Sequence, residues 1–485
     1  MSPIRKNSKM SVWSRSLLLS AAVLSLSACQ TLQGLGPDAT IVEAKSTVPV
    51  KPDWVEPAPD ELPSADWVAS FQNQSLVDLV DEALAENPTI GRNLAQLDVV
   101  LSRVRTSRAD LFPTLGLSSS VSRSEGGTGF LAGQTSYEIG LNASWEADLF
   151  GRIRDQVGSA EAAAAASSAD LAAIRVSIAG QVSQLWFNII QSNLLVDLSE
   201  REIETQERAQ RLTLRRFESG ITGSSDVRLA RSAVANAEAL QATRLQNRDA
   251  QIRNLKILLR DYPDAQLTVP ENLPVLPALQ GLADPTYLLN RRPDILAAER
   301  RIAQAGLDVD VAKKALYPSL SLSGGASEQA LNLADTFDFA EIAFRLTAQL
   351  TAPIFQGGRI RAQIDGQEAQ LRSQVETYVE TVLQAYSEVE NAIDAERRLG
   401  EREAALRVSV EEAQKAEDRL ESRYIEGLAT ILQLLDAQSR RLSAEGQLIS
   451  ARTERLNNRV RMHVAMGGGL YGSEAAFIQT AQNEN

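Results

Sequence analysis

Two kinds of hydrophobic period alternate along this chain of 485 residues. Over 136–148 the period is two. Tyr137, Ile139, Leu141, Ala143 and Trp145 fall on one face; Glu138, Asn142, Ser144, Glu146 and Asp148 fall on the other. Such alternation predicts a strand with one apolar and one polar side. The pattern returns over 340–352, where Ile342, Phe344, Leu346, Ala348 and Leu350 oppose Arg345, Thr347, Gln349 and Thr351. Companion strands are predicted at 114–123 and 319–329, with Gly126-Gly127-Thr128-Gly129 as the turn of the first hairpin. These strands have about the 9–11 residues that cross a bilayer, with a polar inner face, as in outer-membrane barrels. A soluble sandwich gives the same alternation.

Elsewhere the period is helical. From Arg152 to Ser219 there is no Pro, and the only glycines are Gly158 and Gly180. A helix of that length extends about 100 Å. Ile174, Ile178, Val182, Leu185, Ile189 and Asn193 trace one stripe along it. The stretch 359–422 is also Pro-free, with Val375, Tyr378, Val379, Val382, Tyr386, Val389 and Ile393 in heptad-like spacing. A turn glycine and a return helix follow each, over about 224–260 and 430–466. Ala230, Ala233, Ala237, Ala437 and Ala444 on these return helices permit close approach of neighbours. Alone, such helices fit a soluble coiled coil; two strand hairpins in the same chain argue against it. Upstream, residues 30–65 are Pro-rich and read as an extended linker. Residues 66–87 read as a short helix with Leu76, Leu79, Val80 and Leu84 on one face, and another helix runs from Pro88 to about Asp110.

These elements occur twice in one register. Asn87-Pro88 and Pro113 recur as Arg292-Pro293 and Pro318, an offset of 205 residues. Two inserted residues near Gln356 make the offset 207, at which Arg216-Phe217-Glu218-Ser219-Gly220 meets Arg423-Tyr424-Ile425-Glu426-Gly427. The domain organisation predicted is a signal peptide (1–28), a lipidated linker (29–65), and a first repeat (66–260, with β-hairpin 112–150 and helical hairpin 152–260). A Pro-rich connector (261–286), a second repeat (287–470, with β-hairpin 317–355 and helical hairpin 357–466) and a flexible tail (471–485) follow.

Charge and cysteine content narrow the functional classes. The net charge of −13 argues against a nucleic-acid partner. Arg5, Lys6, Lys9 and Arg15 precede an apolar run from Leu17 to Leu26, the layout of a secretory leader. Leu26-Ser27-Ala28-Cys29 follows and looks like a bacterial lipobox, which makes Cys29, the single cysteine, the expected lipid acceptor. An ordinary signal peptide with a chance cysteine has the same leader. Beyond it no segment offers the about 20 apolar residues of a transmembrane helix, so a membrane-crossing mature chain must use a closed barrel. Four strands cannot close one, and open edges are not tolerated in lipid. Two copies would supply eight strands and three would supply twelve.

The chain resembles outer-membrane factors of the TolC/OprM type, nearest the NodT-like efflux lipoproteins. The resemblance is carried by Arg291-Arg292-Pro293-Asp294-Ile295 with Ala298-Glu299, by 315–322, by Ile354-Phe355-Gln356-Gly357-Gly358-Arg359, by Leu432 to Ala437 and by Gly467-Gly468-Gly469. It covers essentially all of 29–470. It implies an α+β fold: a homotrimer with four strands per chain, twelve in the shared membrane barrel, continued by a long periplasmic α-helical barrel. It also implies a periplasmic adaptor and an inner-membrane pump, of the resistance–nodulation–division type, as partners. The function implied is a passive exit duct for drugs or other small molecules at the outer membrane. A type I protein-secretion duct and a pore-free periplasmic coiled-coil lipoprotein are the alternatives.

No catalytic constellation, cofactor motif or metal site is expected, so an enzyme is the least supported class. His463 is the only histidine, too few for a metal centre. The candidate chemistry lies at the hairpin tips, where Gly220 and Gly427 should end helices. Asp226 and Asp436 open the return helices, where capping and the helix dipole favour acids. The resemblance implies that Asp436 lines a pore constriction. It puts Gln433 where a relative has a second acid, and Ala429 where a relative has a latch arginine. Arg216, Arg423 and Tyr424 complete the expected gate, with the two arginines placed to pair with Asp226, Glu218, Glu426 or Asp436.

Overall fold

The computed structural model describes residues 37–51, 53–55, 67–125, 134–279, 285–338 and 342–468. Cys29, the turn at 126–129 and the segment beyond Gly468 lie outside them. In chain order the elements are α1 (Pro37–Thr47), α2 (Gln74–Glu86), α3 (Pro88–Ala109), β1 (Thr114–Ser124), β2 (Gln134–Ala147), α4 (Arg152–Glu218) and α5 (Ser224–Leu258). Then come α6 (Pro285–Leu289), α7 (Pro293–Lys314), β3 (Ser319–Ala330), β4 (Ala343–Thr351), α8 (Arg359–Ile425) and α9 (Ile431–Ala465). Helix lengths repeat: 22 residues in α3 and α7, 67 in α4 and α8, 35 in α5 and α9. Equal lengths follow from equal punctuation, since a Pro opens α3 and α7 and a left-handed glycine closes α4 and α8.

The four strands form one antiparallel sheet in the order β1-β2-β3-β4. The two hairpins meet through β2 and β3, with Leu141 opposite Ala326 and Trp145 opposite Leu322. Residues paired across an antiparallel ladder share a face. Leu115, Leu117, Leu141, Ala143, Leu322, Ala326, Phe344, Leu346 and Leu350 therefore line one side, in keeping with the alternation in the sequence. That side is uncovered: Phe344 is 81% and Leu346 87% exposed. A water-soluble sheet buries such a face. Trp145 is half-exposed at the end of β2, its indole Nε1 donating to the Leu111 carbonyl at 3.0 Å.

The chain divides into two compact units. One comprises Met1–Thr47, Leu101–Ala164 and Glu299–Tyr378, and holds the sheet; the other comprises Val48–Val100, Ala165–Ala298 and Val379–Asn485. Each draws on both sequence repeats. The core of the second unit is built from Trp67, Phe71, Leu76, Val80, Ile178, Val182, Trp186, Phe187, Ile190, Ile252, Leu255 and Val460. Helix α4 contains an 18-residue stretch of mean hydropathy 1.3, apolar enough by composition to cross a membrane. This departs from the expectation that no segment past the leader qualifies. Of that stretch 39% is buried, and Ile178, Ala179, Val182, Trp186, Phe187, Ile189 and Ile190 of the same helix enter this core. Gly180 explains how close the helices lie: a Cβ there would sit 2.7 Å from Val464 Cγ2 of α9.

The repeat extends to tertiary contacts. Asn87, just before Pro88, donates from Nδ2 to the carbonyl of Leu258, the last residue of α5, at 2.8 Å. Arg292, just before Pro293, donates from Nη1 to the carbonyl of Ala465, the last residue of α9, at 2.9 Å. Each return helix thus has a C-terminal carbonyl satisfied by the residue that opens the other end of its repeat. Arg292 also holds Asp294 at 2.7 Å and Glu388 at 2.8 Å.

Two expectations need correction. Residues 30–65 are not wholly extended, because α1 forms over 37–47. Its Ile41 and Ala44 are buried, and Lys45 pairs with Glu299 of α7 at 2.8 Å. Residues 67–73 do not join α2. A 3-10 turn at Ala69–Phe71 ends at Gln72 in the left-handed region (φ 52), and the Asn73 side chain then caps α2, accepting from the Leu76 amide.

His463 of α9 is buried and stacked on Trp67, ring centroids 5.4 Å apart. Burial, with the Arg459 charge beside it, lowers its pKa to about 4. The neutral ring is therefore the folded form. Its contribution to stability is complete above the unfolded value of about 6.5 and is lost as pH falls through 4. The loss is about 3 kcal/mol. Thermal unfolding in detergent should show the melting temperature dropping between pH 6.5 and 4, with a shallower drop in His463→Phe. Equal pH slopes for the two proteins would refute this assignment.

Candidate functional site: the hairpin tips

Both hairpin tips end in the same local structure. The Ile221 amide donates to the Arg216 carbonyl and the Leu428 amide to the Arg423 carbonyl, each at 2.8 Å, closing a six-residue loop over Gly220 and Gly427. Those glycines have φ of 71° and 83°, a region that costs a side chain about 1 kcal/mol or more. The return helices start differently. Thr430 and Gln433 form a reciprocal capping box on α9, with Thr430 N to Gln433 Oε1 at 2.9 Å and Gln433 N to Thr430 Oγ1 at 3.3 Å. On α5, Asp226 in the first turn accepts a hydrogen bond from the Thr222 hydroxyl.

The centre of the tip is Tyr424. It is 2% exposed and packs with Ala209, Ile431 and Leu434. Its hydroxyl is 2.9 Å from Thr213 Oγ1 of α4. The Arg216 guanidinium lies 4.7 Å from the Tyr424 ring centroid and donates to the Tyr424 carbonyl. One arginine of α4 therefore grips both the ring and the helix end of α8.

The remaining expected residues are placed apart from this contact. Arg423 is exposed and donates to the Leu428 carbonyl of its own turn at 3.3 Å. Asp436 is exposed and pairs with Arg440 one turn along α9 at 2.8 Å. Among the described residues, no ion pair joins Arg216 or Arg423 to Asp226, Glu218, Glu426 or Asp436. Arg216 adds a second donor to the Tyr424 carbonyl, which also accepts from the Gly427 amide at 3.1 Å, and Arg423 reaches the Leu428 carbonyl in the turn beyond α8. Gln433 is engaged in the cap. Thr213, Thr222 and Thr430 were not singled out from the sequence, although Thr430 with Gln433 carries the capping-box spacing.

A polar layer runs between α4, α8 and α9 nearby. Arg441 is buried, bonds Glu417, lies 2.7 Å from Glu445 and 4.0 Å from Glu202; Gln206 donates to Glu202. Burial pushes the carboxyls of Glu202 and Glu417 above the usual range. The sequence signal was available: Arg441 interrupts the small and apolar seam Leu434, Ala437, Ala444. A charged layer on a helical seam stabilises one register over its alternatives.

Comparison with known proteins identifies the family. Residues 79–259 and 285–468 match the family profile described as outer membrane efflux protein. The chain is 30% identical over 491 residues to the probable efflux pump outer membrane protein TtgC of Pseudomonas putida, covering 96% of this chain and 98% of that one. It is 30% identical over 438 residues to outer membrane protein OprJ of Pseudomonas aeruginosa, covering 88% and 91%. Its fold is similar to that of the outer-membrane channel OprN, with a TM-score of 0.79 at 28% identity over 87% of this chain and 97% of the other.

If Arg216 and Tyr424 hold the tip, amides of 216–222 and 423–430 should exchange faster in Arg216→Ser than in the parent. Tyr424→Phe, which removes only the Thr213 hydrogen bond, should weaken local protection by about 1 kcal/mol. Arg423→Ser should change it less than Arg216→Ser. Hydrogen-exchange mass spectrometry reads all three, and equal protection in the two arginine variants would contradict the placement.

Proposed function

The chain belongs to the outer membrane efflux protein family, and we propose that it is the outer-membrane channel of a tripartite efflux system, a passive exit duct for drugs or other small molecules. The observation that carries this is the sheet: one face is apolar and uncovered, the other polar, and both edges are unpaired. In hydrocarbon those edges must be filled by further strands. A cyclic trimer fills them with twelve strands and leaves a polar lumen. The relatives' names, which specify efflux pumps, support this reading over a type I secretion duct or a pore-free lipoprotein.

In this reading residues 66–260 and 287–470 are two copies of one hairpin-bearing unit, and 261–286 connects them. The helical hairpins lie in the periplasm. Their tips meet a periplasmic adaptor, and an inner-membrane pump of the resistance–nodulation–division type supplies the energy, the duct itself having no catalytic role. At rest the tip is closed, with Asp436 and Asp226 at the lumen and Arg216, Tyr424, Gln433 and Arg423 holding the turns. The Arg216–Tyr424 contact supports such a gate because it is one polar grip rather than a deep core. Cys29 carries the lipid anchor.

Two measurements test the reading. Intact mass of the mature protein should place an acylated cysteine at position 29; an unmodified N-terminus elsewhere would remove the anchor from the scheme. The purified protein should migrate as a trimer in mild detergent and conduct in planar bilayers. Leu141→Arg, on the lipid-facing side near the middle of β2, should cost about 2–4 kcal/mol and deplete the trimer. A monomeric, non-conducting parent would refute the channel.

A further inference from the structure

Among the described residues the polar face of the sheet holds one arginine, Arg345, and the register places it away from the acids described on that face. Its row across the sheet reads Gly116, Asn142, Gly325, Arg345. Two of its three row-mates have no side chain. The neighbouring rows hold Thr114, Ser144, Ser323 and Thr347 on one side and Ser118, Gly140 and Ser327 on the other, all uncharged. Among the described strand residues the acids on this face are Glu138 and Glu146, both on β2, each four residues along the strand from Asn142. Four residues of antiparallel strand span about 13 Å and two strand spacings about 10 Å, so each acid lies about 16 Å from the Arg345 row. That exceeds the Debye length of about 8–10 Å at ordinary salt. Glu146, moreover, is already paired with Arg152 at 2.7 Å.

We propose that Arg345 is a selectivity-determining residue of the duct, its guanidinium forming with those of two further copies a positive collar midway along the strand lumen that favours anionic solutes and repels cationic ones. The inference rests on the barrel reading above. Closing the barrel sets no carboxylate on the strand directly beside Arg345. The strand that would lie against the free edge of β4 is β1 of another copy. The polar positions of β1 at Thr114, Gly116, Ser118, Ser120 and Ser122 bring no carboxylate in any register that keeps the faces aligned. The collar also has three members, not six. At the repeat offset of 205 the counterpart of Arg345 is Gly140, where even a Cβ would meet Ser327 Cβ at 2.7 Å. The favoured solutes are those bearing a carboxylate, sulfonate or phosphate, which guanidinium groups bind through charge-assisted hydrogen bonds.

A reporter cysteine tests this without depending on the tip constriction. Asn142→Cys shares the Arg345 row, and Ser327→Cys, one row away, serves if the first variant assembles poorly. In assembled full-length trimers the reporter is reacted with anionic sulfonatoethyl or cationic trimethylammonioethyl methanethiosulfonate at about 0.01 M salt, where the Debye length is about 30 Å. The parent chain, with only Cys29, is the blank. The ratio of anionic to cationic reaction rates should fall severalfold when Arg345→Gln is added, and fall again in Arg345→Glu. Added salt should shrink the difference. An unchanged ratio in trimers whose reporter reacts would overturn the collar and leave the barrel standing. A reporter that reacts with neither reagent, while Leu346→Cys reacts with both, would reverse the facing of the strands and overturn it too. Failure of the parent chain to form trimers would instead overturn the barrel on which the collar depends.

Discussion

A backbone N–H or C=O left unpaired in hydrocarbon costs several kcal/mol, and β1 and β4 each present an edge of such groups. The apolar face of the same sheet is exposed and suits lipid, so the sheet cannot escape the problem by staying in water. It must acquire strands from other copies. The polar face then becomes the wall of a lumen, and its small side chains, with Gly116, Gly140 and Gly325 among them, determine where a single charge such as Arg345 dominates.

The internal repeat solves one packing problem twice with different chemistry. The residue before the opening proline must satisfy a carbonyl at the end of the return helix. Asn87 does so with an amide and Arg292 with a guanidinium that also collects Asp294 and Glu388. Just beyond the return helices, the left-handed positions are taken by Arg260 (φ 65) and Gly467 (φ 91). The backbone requirement is shared, and the side chains around it are free to diverge. That freedom allows a duplicated unit to carry a grip in one half only: Tyr424 has a hydroxyl to offer Thr213, whereas its counterpart Phe217 has none and stays 42% exposed.

A gate that both closes and yields, as proposed for the tip, cannot rest on a large apolar core. The cluster around Tyr424 is small, and its polar contacts are few. The Arg441 layer nearby answers a different need. Burying one arginine against Glu202, Glu417 and Glu445 contributes little net stability, yet a slipped register would strand these charges without partners.

Much of this was legible in the chain because its signals are local. Period-two alternation fixes which strand residues share a face. Pro88, Pro293, Gly220 and Gly427 mark helix ends, and the 205- and 207-residue offsets give the duplicated element lengths. What the sequence could not determine depends on distant partners. Residues 37–47 look extended by composition and become helical because Ile41 and Ala44 are buried and Lys45 reaches Glu299. Arg216 and Arg423 look equivalent, and nearby acids look like their natural partners. Only the tertiary structure sets Arg216 on Tyr424 and leaves Arg423 on its own turn, because the choice rests on which carbonyl and which ring lie within reach of each guanidinium. Arg345 is one of many arginines in the sequence. Its separation from Glu138 and Glu146 is decided by strand register, which puts glycines beside it and carries those two acids about 16 Å away.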